Sequence, residues 1–329
     1  MATLGKKAAA PAPAPAAVVE RLVTLACHAP SVHNTQPWLW EYDGSRLTLR
    51  ADLRRHLPAE DPQGRNLAIS CGAALHHLQF AARALGWDTA VWRMPQHADP
   101  TVLAQVAVGR GPGAGVSRAD LQLLRRRCTD RRRFTAWPVP EERLEPLCRL
   151  ARTWGAGAVV VAATAERFRL ELIANEACAV AEQDTGLLRE QNRWVGRTGT
   201  DGVPLAVLPD NPHPHRRSRF GTGALADRWM AINSGDGVIA LGGDTDNLGS
   251  WLRTGEALSA LWLEATREGL SVVPLSQPIE IETTRREIEQ SVLGGALSPH
   301  ILLRIGWQPV GRSELPRTPR RSLGEVLTS

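Results

Sequence analysis

The chain has 329 residues, 43% of them apolar and 22% charged. That length allows about two domains with a substantial core, and the balance excludes wholesale disorder and collagen-like repetition. No run approaches the roughly 18 apolar residues that a membrane span requires. The formal net charge of +5 is divided as +3 over residues 1–116 and +2 over residues 117–329, so neither part is a basic domain and no nucleic-acid partner is demanded.

Residues 1–17 are expected to be a disordered tail set apart from the fold, because 8–17 are almost pure Ala and Pro and offer little to bury. Apolar spacing predicts a helix over 18–29, ended by Pro30, and then a loop over 30–37. Two strands, 38–42 and 46–51, flank Asp43-Gly44, a strong hairpin signal. A long helix over 65–85 leads into strands at 87–93 and 102–108, and a glycine-rich link over 109–115 closes the first half. Helices follow at 117–126, where Ser117 and Asp120 are spaced like a capping box, and at 141–153, just after Pro140. A strand is expected near 158–162 and a helix over 165–183. Residues 196–234 have no clean period, and a loop of that length is usually functional or mobile. The last third reads as strand 238–241, helix 247–268, strand 270–274, a short helix near 285–293 and a final strand 300–307. Hairpins with few βαβ crossovers predict an α+β fold.

Several features argue against other chemistries. The five cysteines include no C-x-x-C, and four of them, Cys27, Cys71, Cys148 and Cys178, sit in helical patterns as small hydrophobes, which suits a reducing cytoplasm. Gly109-Arg-Gly111-Pro-Gly-Ala114 matches a dinucleotide fingerprint in letters, yet Pro112 stiffens the turn and no strand ending in an acid follows about 20 residues later. Asp244-Thr-Asp246-Asn247 begins like a calcium loop but has Gly255 where the bidentate Glu belongs, so it reads as a helix cap. His213 and His215 have no further ligand at metal spacing.

The segment 72–86 slides without gaps onto 255–269. Gly72/Gly255, Ala74/Ala257, Leu75/Leu258, Leu78/Leu261, Ala82/Ala265 and Gly86/Gly269 coincide, each pair 183 apart. Both helices carry small residues early, end at a glycine and pass directly into a strand, which favours an internal duplication over chance likeness.

The stretch Ala29-Pro-Ser-Val-His-Asn-Thr-Gln-Pro-Trp38 resembles the A-P-S-x-x-N-x-Q-P-W signature of the nitroreductase family of flavin enzymes. Arg127-Cys-Thr129-Asp-Arg131, followed by Phe134 and 138–142, is similar to the family's R-x-S/T-x-R/K segment, in which alternate side chains suit a phosphate dianion. Residues 269–277, including Pro274, Leu275 and Ser276, resemble its G-L-x-x-x-P-I loop, and Pro319-Arg320-Arg321-Ser322-Leu323 its basic C-terminal arm.

In the family, an FMN site is assembled from two subunits. Here the first half has Pro30, Ser31 and Asn34 but no basic segment, while the second has Arg127, Thr129, Arg131, Arg320 and Arg321 but no second P-S-x-x-N loop. The resemblance therefore implies a duplicated nitroreductase-like fold, a pseudo-dimer in one chain with one FMN, as in the Acg-like branch. Its halves would be 18–116 and 117–329, the latter with a lid-like insertion at about 186–234 and the C-terminal arm. The implied function is an FMN-dependent oxidoreductase taking hydride from NAD(P)H and reducing a nitroaromatic, a quinone or a similar small acceptor, with the chain monomeric or a weak homodimer. The flavin carries the chemistry, so no catalytic side chain and no metal are expected. A flavin-storage protein with little turnover is the alternative, and nucleic-acid binding through 125–133 and 216–219 a third reading.

Overall fold

The computed structural model describes residues 14–111, 116–197, 199–207, 235–311 and 316–328. In chain order the helices and strands are α1 (Ala16–Ala26), β1 (Trp38–Tyr42), β2 (Arg46–Ala51), α2 (Arg65–Ala84), β3 (Trp87–Arg93), β4 (Val102–Arg110), α3 (Leu121–Arg126), α4 (Glu141–Thr153), β5 (Gly157–Val160), α5 (Thr164–Gln183), α6 (Thr185–Trp194), β6 (Gly237–Gly243), α7 (Leu248–Arg267), β7 (Leu270–Leu275), α8 (Gln277–Glu280), α9 (Glu282–Glu287), β8 (Ser298–Trp307), α10 (Leu323–Val326) and β9 (Leu327–Thr328). The architecture is α+β. Among the described residues no helix is long and apolar enough to cross a membrane.

A five-stranded sheet has the order β3-β4-β2-β1-β9, and a four-stranded sheet the order β5-β6-β8-β7. All pairings are antiparallel except β1 with β9. With β5, β6, β7 and β8 taken as counterparts of β1, β2, β3 and β4, the strand order is the same in both sheets. β1 and β2 are joined by the Asp43-Gly44 turn, with Gly44 at φ +88°. Between β5 and β6 lie α5, α6 and the segment up to 236.

That difference decides how each sheet is buried. β2 alternates exposed and buried positions, as expected where one face meets the core. Every residue of β6 is buried, because Ile239 and Leu241 pack on α4 and α7 while Val238 and Ala240 pack with Leu170 and Ile173 of α5.

At the centre, α2 crosses α7. A Cβ on Gly72 would lie 2.0 Å from the Leu252 carbonyl oxygen, and one on Gly255 would lie 2.1 Å from that of Ile69. Both pairs, 72/255 and 69/252, are 183 apart, so the close approach is reciprocal. His76 Nδ1 meets Ser259 Oγ at 2.7 Å, again 183 residues away. Gly86 (φ +77°) and Gly269 (φ +81°) end the helices in the left-handed conformation that turns each into the next strand.

Three local expectations differ from the structure. The first helix begins at Ala16, and Ala14 belongs to the fold: its N–H donates to Val108 O at 3.1 Å and its carbonyl accepts from Tyr42 Oη at 2.8 Å. The helix expected over 285–293 is α9 followed by a π-helical turn, Ile288–Val292. Residues 185–194, placed mostly inside an irregular insertion, form α6, N-capped by Asp184. The capping box of Ser117 and Asp120 and the Asn247 cap on Ser250 are present. Residues 1–13 and 208–234, which hold most of the expected tail and insertion together with His213 and His215, lie outside the described residues.

Candidate functional site

The loop after α1 carries a concentration of backbone strain. His33 (φ 45°), Asn34 (φ 55°) and Gln36 (φ 50°) all adopt left-handed conformations uncommon for residues other than glycine. Such geometry persists only when its surroundings fix it, and here they do. Ser31 Oγ accepts from the Gln36 N–H at 3.0 Å, Ser70 Oγ from the Val32 N–H at 3.3 Å, and His33 Nε2 meets the buried Glu60 carboxylate at 2.7 Å.

Opposite this loop, the chain continues from α3 without regular secondary structure. Arg127, Thr129 and Arg131 all line one cavity of about 410 Å³. Asp130, between them, pairs with Arg132 instead. Pro30, Ser31 and Asn34 line the other wall, and Arg317, Thr318 and Arg320 of the C-terminal arm close one side. A narrower cavity of about 80 Å³ shares Pro30, Ser31, Thr129 and Arg131 with the first and adds Pro274 and Ser276.

The larger cavity is strongly cationic. Arg125, Arg127, Arg131, Arg317 and Arg320 line it, and among the described residues no carboxylate does. Arg127 is buried above the Trp262 ring, 4.5 Å from its centroid, and its Nε and Nη1 have no hydrogen-bond partner among the described residues. Burial, with the charge of Arg320 added, pushes its guanidinium down to about 9. His28 is pushed down to about 4 by burial and then by the field of Arg320, Arg125, Arg127 and Arg317. A buried cation without an anion is costly. The arrangement therefore suits a ligand that brings a dianion, such as a phosphate.

Two expected site residues lie elsewhere. The Leu275 side chain packs in the core with Val273, Ile279 and Leu302, because Pro274 and Ser276 occupy the cavity-facing positions on either side of it. Arg321 points away from Arg320, as neighbours in an extended arm do. It donates to the carbonyls of Gln36 (3.2 Å), Trp38 (3.3 Å) and Glu325 (2.7 Å), and lies 3.4 Å from Asp52, so it clamps the arm onto β1.

Asn34 lines the cavity, but its amide is engaged within the protein. Nδ2 donates to Gly202 O (3.0 Å) and Pro319 O (3.1 Å), and Oδ1 accepts from Arg320 Nη1 (3.1 Å). It ties together the loop, the segment before 208 and the C-terminal arm. That segment forms part of the cavity wall through Val203 and Val207. It is pinned by Gln36 Nε2 to Thr200 O (2.9 Å) and Arg55 to Asp201 (2.8 Å), while Glu190 of α6 accepts from the N–H groups of Ala59 and Glu60. Sequence reasoning did not single out His28, Arg317, Val203, Val207 or Trp262. Only Arg317 carried a signal, its place in the run Pro-Arg-Thr-Pro-Arg-Arg.

An α+β fold thus brings a strained Pro-Ser-Val-His-Asn loop and an Arg-Cys-Thr-Asp-Arg segment together at one cationic cavity. Full-length relatives give the protein's class a name. The chain is 37% identical over 320 residues to the provisionally named NAD(P)H nitroreductase Rv3131 of Mycobacterium tuberculosis H37Rv, covering 95% of this chain and 91% of that protein. It is 32% identical to the similarly named Acg of the same strain, over 94% of this chain and 95% of that protein. The chain belongs to the nitroreductase family, with Acg among its relatives. No protein-family model matches it. Among solved structures, a nitroreductase with bound FMN from Bacteroides fragilis aligns at TM-score 0.42 and 12% identity, over 61% of this chain and 94% of that one. A nitroreductase-type structure from Anabaena variabilis aligns at TM-score 0.44 and 9% identity, over 88% of this chain and 73% of that one.

Proposed function

We propose that the chain is an FMN-dependent oxidoreductase with one flavin site. The observation that carries this reading is the buried Arg127 guanidinium, its Nε and Nη1 unpartnered among the described residues, in a cavity where those residues supply five arginines and no carboxylate. When bound, FMN supplies the redox chemistry, taking hydride from NAD(P)H and passing electrons to a nitroaromatic, a quinone or a similar small acceptor.

The chain's own residues bind and position. Arg127, Arg131 and Arg320, with Arg317 beside them, hold the phosphate, and Thr129 adds a hydroxyl on the same wall. Pro30, Ser31, Pro274 and Ser276 form the walls of the adjoining narrow cavity and hold the rest of the flavin. Asn34 and Arg321 act by positioning the arm and the loop. No side chain is required as an acid or base.

The single site follows from a duplicated fold acting as a pseudo-dimer. Support for the duplication comes from the reciprocal crossing of α2 and α7, the shared strand order and the two matching helix exits. On this reading the halves are 18–116 and 117–329, with the second adding a cover between β5 and β6, and the protein acts on a small molecule in the cytoplasm, as a monomer or weak homodimer.

The cover favours a second reading. Residues 200–207 are held against the loop by side-chain and backbone hydrogen bonds, an arrangement that could keep flavin in and nicotinamide out. Purified protein should be yellow, with about one FMN per chain, and flavin should be lost in Arg127→Ala. Colourless protein that takes up no FMN would overturn both readings. Consumption of NAD(P)H with a nitro or quinone acceptor separates them: turnover dependent on bound FMN supports the enzyme, and none across a broad panel supports storage.

A further inference from the structure

A second cavity, of about 670 Å³, lies on the other flank of the α2–α7 crossing. Two of its wall positions are 183 away from wall positions of the narrower flavin-side cavity. Arg253 stands opposite Ser70 in this numbering, and Arg93 opposite Ser276. Trp154 and Gly155 follow α4 much as the Pro30 loop follows α1. That equivalence rests on the duplicated reading, whereas the charges lining the cavity do not depend on it.

Five guanidinium groups converge on the cavity, from Arg83, Arg93, Arg152, Arg253 and Arg267, while Glu264 is the one carboxylate among its lining residues. Three of the five are compensated. Arg93 makes a two-pronged pair with the buried Glu256, at 2.6 and 2.8 Å, and Gln79 Nε2 donates to the same carboxylate. Arg267 pairs with Glu264 and Asp120. Arg152 donates to Ala158 O at 2.6 Å and stands 3.8 Å from Glu145.

Arg83 and Arg253 make no ion pair among the described residues. Arg83 sits over the Trp154 ring at 5.5 Å, and its Nε is buried with no hydrogen-bond partner. Burial lowers this guanidinium, an effect that Asp88 opposes. Arg253 is exposed at the cavity and reaches the Trp154–Gly155 turn, where a Cβ on Gly155 would lie 3.1 Å from its Nη1. Two cations with no ion pair among the described residues, opening on one cavity, suit a divalent anion. The Arg93–Glu256 pair stands where the flavin side has the small Ser276, so the ligand is not expected to be flavin.

We propose that this second cavity binds a phosphate ester or diphosphate, gripped by Arg83 and Arg253. The test is calorimetric titration of inorganic pyrophosphate, and separately of ADP, into FMN-saturated protein at low salt. Saturable binding is expected, weakened at least tenfold in Arg253→Ala and in Arg83→Ala, weakened by added salt, and unchanged in Arg127→Ala. Equal affinities would assign recognition to the phosphates alone, and tighter ADP binding would add a contribution from the Trp154 wall; both support the site. Absence of saturable binding, or binding that survives both substitutions, overturns it. Arg253 is exposed, so its substitution leaves the fold intact, and a thermal melt controls for Arg83→Ala. Each variant reports on its own cavity, so a failure of FMN to bind would leave this measurement readable in Arg127→Ala protein.

Discussion

The two cavities flank the same helix crossing and are both rich in arginine, yet they differ in how that charge is held. In the first, Arg127 is buried over Trp262 with no ion pair among the described residues, and a loop with three left-handed residues forms the facing wall. On the other side, Arg93 is neutralised by Glu256, and a Trp-Gly turn replaces the loop. The helices supply a common frame, while the loops at their ends decide what each cavity can bind. One frame thus carries two differently lined cavities, because the close backbone approach at Gly72 and Gly255 constrains the crossing and leaves the flanks free to diverge.

Arg127→Ala should break the contrast most sharply. Removing one partner of a buried charge pair costs about 2–5 kcal/mol, so FMN affinity should fall by roughly 100-fold in a fluorescence titration, while Arg253→Ala leaves it unchanged. Flavin-free Arg127→Met should unfold at an equal or higher denaturant concentration than flavin-free wild type, since it relieves an uncompensated buried charge. Lower stability in that variant would mean that Arg127 is already paired within the protein.

Gly72→Ala and Gly255→Ala test the shared frame. Each new Cβ meets a backbone carbonyl that cannot swing aside, so each should lose about 1–3 kcal/mol in urea unfolding, and by similar amounts. A large loss at one glycine with none at the other would show that the crossing is not reciprocal in energy.

Asn34→Ala removes three hydrogen bonds across the cover and the arm. About 1–2 kcal/mol of stability should be lost, with faster amide exchange at Gly202 and a smaller loss of flavin affinity than in Arg127→Ala. Unchanged exchange at Gly202 would leave the cover independent of this side chain.

The smallest effect is expected in pH dependence. Each cavity has a neutral histidine at its wall: His28, pushed down to about 4 by burial and then by the surrounding arginines, and His76, pushed down to about 3 by burial and then by Arg83. The unfolded chain binds protons at these groups near 6.5 and the folded chain only below about 4, so stability falls as pH drops from about 6.5 toward 4. His28→Asn should flatten that fall, read as the urea midpoint against pH. An unchanged slope would show that His28 is not held neutral.

Much of the fold and part of the candidate site were legible along the chain because their signals are local. Helical spacing marked α2 and α7, Asp43-Gly44 marked the first hairpin, and Gly86 and Gly269 marked the helix exits. The alternation of Arg127, Thr129 and Arg131 already implied that these side chains share a side. Tertiary structure alone decided which distant segments meet: that β9 adds to the first sheet, that Arg320 turns to the cavity while Arg321 grips β1, and that Asn34 is occupied by Gly202, Pro319 and Arg320. The Val203–Val207 wall lies in a stretch with no clean period, and α6, although amphipathic, was set mostly inside the expected insertion. Their positions depend on contacts between residues more than a hundred apart, which leave no repeat in the sequence.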